Sequence, residues 1–295
     1  MRLRTLPLAL SCVVLGSLLA ASHGHFRLGV ALLSGLTIAL LQVLSNLAND
    51  YGDSRHGADG QQRQGPSRAV QSGAISAGRM RRAVQGLALA SLLSGLALLA
   101  VSFGPDQWPK LLVFLGLGLG CIWAAVAYTA TDKPYGYAGL GDIFVLLCFG
   151  LVGVMGTYYL HGQVLPALVA LPALSLGLFS VGVLNVNNIR DISSDALAGK
   201  RSIPVRIGRA WAVRYHWALL LLGFGCAAGY ALLQGQGGAW QAWLFMGTAP
   251  LFWRNARQVA ALQEPRLLDP FLKQLALSTF AFSLLFGLGH WLAAQ

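Results

Sequence analysis

The sequence predicts an all-α fold: a polytopic membrane bundle of nine transmembrane helices with two Asp-rich motifs at the cytoplasmic side. Three observations lead there. Only 11% of the 295 residues are charged while 56% are hydrophobic, and the mean hydropathy is +0.61. A soluble domain carries roughly a quarter charged residues, so too few remain here to coat a water-facing surface. The apolar residues fall in long continuous runs without period-two alternation, the pattern of membrane helices rather than barrel strands. Lys and Arg crowd into every second connection.

A membrane helix needs roughly 20 mostly apolar residues. The first run, about 6–22, follows Arg2 and Arg4 and ends in Leu19-Ala20-Ala21-Ser22. That shape resembles a secretory signal peptide, but the many spans that follow make it a first membrane helix. The second run, about 27–45, leads into a polar cluster, and the third, about 83–103, follows Arg79, Arg81 and Arg82. The fourth, about 111–130, holds Gly116, Gly118 and Gly120; lacking a preceding strand, they read as close helix packing rather than a nucleotide loop. The fifth and sixth, about 141–160 and 164–185, lead to a second polar cluster. The last three lie at about 213–233, 239–253 and 274–293. Residues 1–295 therefore read as a single integral-membrane domain.

Topology follows from the basic residues. Nineteen of the 21 sit before the first span or after spans 2, 4, 6 and 8; only Arg27 and Lys110 fall on the other side. Those segments and the N-terminus are expected in the cytoplasm of a cell whose inner membrane the chain crosses. The net charge of +11 is thus a topology signal and not a nucleic-acid footprint, since no single polar face collects it. Cys12, Cys121, Cys148 and Cys226 each lie in an apolar run and read as buried thiols.

The acids share the basic side, which the positive-inside rule does not require. Span 2 runs into Asn46-Leu47-Ala48-Asn49-Asp50-Tyr51-Gly52-Asp53, where Asn46, Asn49, Asp50 and Asp53 share one helical stripe. Span 6 runs into Asn187, Asp191 and Asp195 at four-residue spacing, again one stripe. Carboxylates beside a membrane are costly unless paired or bound to a cation. Oxygen-only ligand sets suit Mg²⁺ or Mn²⁺, and Mg²⁺ takes one or two carboxylates while substrate phosphates complete its shell. Helix capping and salt bridges to loop arginines are the plainer alternative. Gly65-Pro66-Ser67-Arg68 and Gly199-Lys200-Arg201 follow the two clusters and offer cations to phosphate oxygens, or serve only as positive-inside loops. Between Tyr128 and Tyr137 three tyrosines flank Lys133, forming either an interfacial belt or an aromatic pocket.

These segments resemble the intramembrane aromatic prenyltransferases, whose two motifs read NDxxDxxxD and DxxxD. Asn49, Asp50 and Asp53 match the first, Asp191 and Asp195 the second. The stretches NLANDYGDSRHGADGQQRQGPSRAVQSG, PYGYAGLGDIFVLLCFG and NNIRDISSDALAGKRSIPVRIG are most similar to the branch that prenylates 1,4-dihydroxy-2-naphthoate in menaquinone biosynthesis. The last Asp of the first motif would fall at Gly57, with Asp59 two residues on, a shift that branch shares. Leu3 stands where the family often has Pro, and the abrupt start is compatible with a missing leader or a shifted start codon.

The resemblance implies transfer of a polyprenyl group from polyprenyl diphosphate to the naphthoate, with decarboxylation, giving demethylmenaquinol and diphosphate. It implies Mg²⁺ held by Asn49, Asp50, Asp53, Asp191 and Asp195, the four aspartates being catalytic. Arg68, Lys200 and Arg201 would touch the diphosphate, with Lys133 and Tyr128 beside them. Expected partners are the two substrates and membrane lipid, not nucleic acid. A sister enzyme acting on 4-hydroxybenzoate, or a cation transporter, are the rival readings.

Overall fold

The computed structural model describes residues 5–55, 70 and 72–295. Among them the chain is helical, without a strand: α1 (Leu6–Ser22), α2 (Leu28–Arg55), α3 (Ala77–Ser102), α4 (Trp108–Ala127), α5 (Gly141–Gly162), α6 (Ala170–Arg190), α7 (Ile192–Leu197), α8 (Ile203–Leu233), α9 (Ala249–Ala261) and α10 (Asp269–Ala293). Seven helical stretches among the described residues are long and apolar enough to cross a membrane, and α1 is a shorter apolar helix. The expected span at 239–253 is a 3₁₀ stretch, Trp240–Thr248, that continues into α9. Nine is therefore an approximate count of spans in a multi-pass membrane bundle.

Several helices run further than the hydropathy boundaries. α2 continues to Arg55, α6 to Arg190 and α9 to Ala261, while α3 begins at Ala77; the residues from Ile203 form a helical segment joined to the rest of α8 across a kink at Gly208. Hydropathy marks only the lipid-immersed part; backbone hydrogen bonding extends the helix into polar sequence as long as no breaker intervenes. All these extensions lie at one end of the bundle, the end that carries both Asp motifs.

Helix α1 is a core element. Cys12, Leu15 and Leu19 are fully buried, and the helix lies against α2, α5 and α10. Helix α6 is packed between α5, α8 and α10. Its Phe179 sits 4.5 Å from Phe252 and 4.9 Å from Phe282, ring centre to ring centre. Lipid tails are as apolar as these side chains, so close packing rather than water exclusion favours such contacts. Outward residues are equally apolar: Leu28, Leu32 and Leu36 form one exposed stripe on α2.

Close approach between helices uses glycines other than those expected. Nothing lies within 4 Å of a Cβ placed at Gly116, Gly118 or Gly120, so that triplet does not mediate packing among the described residues. All three are exposed, and Gly118 also borders a half-open apolar cavity. The tight contact is instead between α5 and α6, where Gly150 and Gly177 meet backbone to backbone. Within α5, Leu146–Gly156 is wound as a π-helix. The wider turn carries Cys148 and Phe149 onto the same internal cavity as Val145.

Candidate active site

The motif end of the bundle is organised by two loops that lock onto helix ends. The first, 128–140, packs on the last turns of α2. A Cβ at Gly52 would collide with the carbonyl of Thr129, so only glycine permits this approach. Thr129 Oγ1 then lies 3.0 Å from Asn49 Oδ1 and 3.2 Å from Ala48 O and shares its proton between them. The second loop begins at the C-terminus of α7. Gly199 takes φ +73°, Gly199 N donates to Ala196 O and Lys200 N to Asp195 O at 2.8 Å. This is a Schellman ending, which requires a left-handed residue and explains the glycine. It turns Lys200 back so that Nζ sits 3.0 Å from Asp195 Oδ2.

The loops then join. Arg201 N donates to Tyr137 O at 2.9 Å and Arg206 Nη2 to Ala138 O at 2.6 Å. Tyr137 OH donates to Asp53 Oδ1 at 3.0 Å. The two motifs, about 140 residues apart in sequence, thus meet across a tyrosine, with Asp53, Asp195 and Lys200 all buried.

Electrostatics of the cluster follow from this burial. Asp195 is pushed above the usual carboxylate range by desolvation, then by Asp191 and Asp53, with Lys200 opposing. Burial acts to lower Lys200, but the Tyr128, Asp195 and Asp53 side chains outweigh it and raise the ammonium above its ordinary value. Tyr128 is raised first by burial, with Lys200 pulling the other way. Tyr137 is raised by burial and by the charge of Asp53. At neutral pH both phenols therefore keep their protons and can donate, and Lys200 remains a cation.

Behind the cluster opens a cavity of about 230 Å³. Asn46, Asn49, Asp53, Asn187 and Lys200 line its polar mouth. Tyr128, Tyr135, Phe144 and Phe149 form an aromatic wall, in which Tyr135 stacks on Phe144 at 4.0 Å. A second, apolar cavity of about 130 Å³ shares Ile38, Leu41, Cys121 and Cys148 with the first and reaches Leu98 and Leu160. A third polar feature lies on the α1–α2 side, where Gln42 Nε2 donates to Thr5 Oγ1 at 3.1 Å. The four cysteines are free; Cys12 is buried and the others half-buried.

Of the expected residues, Asn49, Asp53, Tyr128 and Lys200 come together on the cavity wall, with Asp195 behind Lys200. Asp50 is half-buried and does not line that wall, and Asp191 is held by Arg190. Lys133 and Arg201 are exposed and stand outside the wall. Arg68, like Arg2 and Asp59, lies outside the described residues. Of the two readings of the tyrosine loop, the pocket describes Tyr128 and Tyr135. Sequence reasoning did not single out Arg190, Asp142 or Tyr215. Tyr215 OH donates to buried Asp142 at 2.9 Å and ties α8 to the start of α5. A charged residue beside a motif aspartate, and an acid at a span boundary, are the signals that could have found Arg190 and Asp142.

The pattern of the UbiA prenyltransferase family matches residues 9–285. The chain belongs to the UbiA prenyltransferase family. Two relatives are similar along nearly their whole length. The 1,4-dihydroxy-2-naphthoate octaprenyltransferase of Escherichia coli (strain K12) is 43% identical over 99% of this chain and 94% of that protein. The enzyme of the same name from Haemophilus influenzae is 42% identical over 98% and 93%. Among solved structures, a UbiA homolog from Aeropyrum pernix K1 aligns with a TM-score of 0.71 at 19% identity, covering 96% of this chain and 98% of that one. A UbiA homolog from Archaeoglobus fulgidus bound to GPP and Mg²⁺ aligns at 0.60 and 17% identity, covering 96% and 98%. At those identities the structures speak for the fold, and this UbiA chain shares it.

Proposed function

We propose that residues 1–295 act as one integral-membrane domain that transfers a polyprenyl group from polyprenyl diphosphate to 1,4-dihydroxy-2-naphthoate, with loss of the ring carboxyl, in menaquinone biosynthesis. The observation that carries this reading is the meeting of both Asp motifs with Lys200 at the mouth of one aromatic-walled cavity. The two relatives that match nearly end to end bear the name of that activity.

The donor set fits a divalent cation. Asn49, Asp50, Asp53, Asp191 and Asp195 offer only oxygens, the chemistry of Mg²⁺ or Mn²⁺. Among the described residues no three His, Cys, Asp or Glu side chains converge as a ready-made metal cluster. Mg²⁺ would take one or two carboxylates per motif and complete its shell with diphosphate oxygens. Bound Mg²⁺ would neutralise the diphosphate and ease its departure. Lys200 Nζ, fixed by the Schellman turn, adds a cation on the cavity wall, and Tyr128 supplies a neutral O–H donor to leaving-group oxygens, while Tyr137 spends its proton on Asp53. The faces of Tyr135, Phe144 and Phe149 stabilise positive charge as it develops on the allylic carbon. The apolar second cavity accepts isoprenoid chain and keeps water from that carbon. Thr5, Gln42 and Asn46 present hydrogen-bonding groups to the oxygens of the aromatic acceptor.

No strong base is needed, because the hydroquinone oxygens push electrons toward the attacking ring carbon. Aromaticity returns when the carboxyl leaves as CO₂. Purified protein with 1,4-dihydroxy-2-naphthoate and a polyprenyl diphosphate is expected to yield prenylated product, diphosphate and CO₂ in equal amounts by mass spectrometry and gas analysis. 4-Hydroxybenzoate is expected to react poorly and to keep its carboxyl. Efficient prenylation of 4-hydroxybenzoate with the naphthoate untouched would overturn the acceptor and leave the prenyl transfer standing.

The same reading places the motif end in the cytoplasm. A reporter inserted beside Arg63 and one beside Lys200 should both read as cytoplasmic. Opposite readings would separate the two motifs across the membrane and end the shared-site proposal.

A further inference from the structure

The groove between α8 and α9 carries cations that the active site does not use. Three contacts cross it. Arg209 Nη2 donates to Val259 O at 3.0 Å. His216 Nε2 lies 3.0 Å from Asn255 Oδ1. The Trp217 and Trp253 rings meet edge to face, 4.8 Å between centres. Residue numbers rise along α8 as they fall along α9, so the two helices are antiparallel. The same register sets Arg214 of α8 level with Arg257 of α9. Arg214 lies one turn from Trp217, and Arg257 one turn from Trp253, so both border the groove where the tryptophans meet.

Both arginines are exposed, as is Arg254 beside them. Among the described residues no carboxylate pairs with any of the three. Arg214 is held instead over the face of Trp211, 4.5 Å from the ring centre. Packed helices lie about 8–10 Å apart, so two level guanidinium groups can reach one anion between them. Without an anion they repel. The planar fork of arginine suits phosphate oxygens. Further along α8, away from the motif end, the same side turns apolar. Leu221 and Leu222 are 61% and 59% exposed, and Trp253 of α9 is 57% exposed. A free phosphate has no use for that surface, whereas the chains of a phospholipid do.

We propose that Arg214 and Arg257 bind the phosphate of an anionic phospholipid, with Arg254 adding charge and the acyl chains lying along Trp217, Trp253 and Leu221. Basic clusters next to a membrane span attract anionic headgroups, and tryptophan rings settle at headgroup level. None of these residues lines the aromatic-walled cavity, so the site stands apart from prenyl transfer.

The test uses the full chain, purified in neutral detergent and stripped of lipid. It is mixed with equal amounts of phosphatidylglycerol and phosphatidylcholine carrying the same acyl chains, and bound lipid is read by native mass spectrometry. Phosphatidylglycerol should be retained in preference. Arg214→Gln with Arg257→Gln should weaken its binding about 30-fold, the combined effect of two basic side chains near an anionic headgroup. Arg214→Lys with Arg257→Lys keeps both charges and should hold most of it. Arg81→Gln with Arg82→Gln, which removes two exposed arginines from α3, should leave it unchanged. Equal retention of the two lipids by the wild-type chain would overturn the inference. So would wild-type binding in the paired Gln variant of α8 and α9, or an equal loss in the α3 variant, which would mark unspecific surface charge. Equal losses in the Gln and Lys pairs with a lowered Tm in lipid-free detergent would mark damage to the fold and overturn it too. Displacement of the lipid by millimolar inorganic phosphate would make the ligand a free anion and end the lipid proposal.

Discussion

Lys200→Met is expected to cut turnover by about 10²–10³-fold, the usual consequence of deleting a preorganised charge aimed at a leaving group. Lys200 is the cation that the structure puts on the cavity wall, and it is held there by the Asp195–Gly199 turn. Its replacement also leaves Asp195 buried without its partner at 3.0 Å. Breaking one side of a buried pair typically costs about 3–5 kcal/mol, so a lower Tm should accompany the lost activity. Lys200→Arg separates the two effects: it keeps the charge and should recover stability more fully than rate, because a planar fork does not replace a point donor. Exposed Lys133 and Arg201 act through screened water, so Lys133→Met and Arg201→Met should change KM by less than about tenfold. Steady-state kinetics and thermal unfolding of the four variants check this. A Lys200→Met enzyme with near-normal kcat would remove Lys200 from the diphosphate site.

The second large effect concerns the carboxylates. Asp50→Asn, Asp53→Asn, Asp191→Asn and Asp195→Asn should each lose about 10²-fold or more in kcat while the protein still inserts. Loss of metal and loss of diphosphate affinity should move together, since one ion bridges the same oxygens. Chelation of divalent metal should abolish turnover, and added Mg²⁺ should restore it. Asp53→Asn carries a further signature, because Tyr137 OH donates to Asp53 Oδ1 and thereby links the first motif to the second loop. An amide oxygen in that place keeps the hydrogen bond and removes the charge. The variant should therefore keep its fold while losing the metal. Full turnover in the presence of chelator would rule out the metal-dependent mechanism.

Much of this site is legible in the amino-acid sequence. The asparagines and aspartates of the first motif lie on one helix, and stripe spacing is a local property of a helix; in the second motif the helix breaks at Asp191, and Asp195 sits on the short α7. The DALAGK stretch also carries its own turn: an αL position after a short helix calls for glycine, and Gly199 supplies it. What the stripes could not give was the rotation of each helix against its neighbours. That rotation puts Asn49 and Asp53 on the cavity wall and Asp50 to its side. Gly116, Gly118 and Gly120 mislead for the same reason: spacing says they share a region of α4, not which side of α4 meets another helix.

Composition and periodicity by themselves determined that the chain lives in lipid, that its segments are helices, and which connections collect charge. Those follow from solvent and backbone chemistry, which act on each segment separately. Only the tertiary structure decided that Tyr137 would bridge the motifs, that Arg190 would be shared with Asp269, and that a π-turn in α5 would shape the cavity wall. The first two depend on groups brought together from distant parts of the chain, and the π-turn matters through the neighbours its side chains meet. In lipid, apolar side chains have no preference for the interior, so hydropathy alone cannot say which faces will meet; close packing and buried hydrogen bonds make that choice.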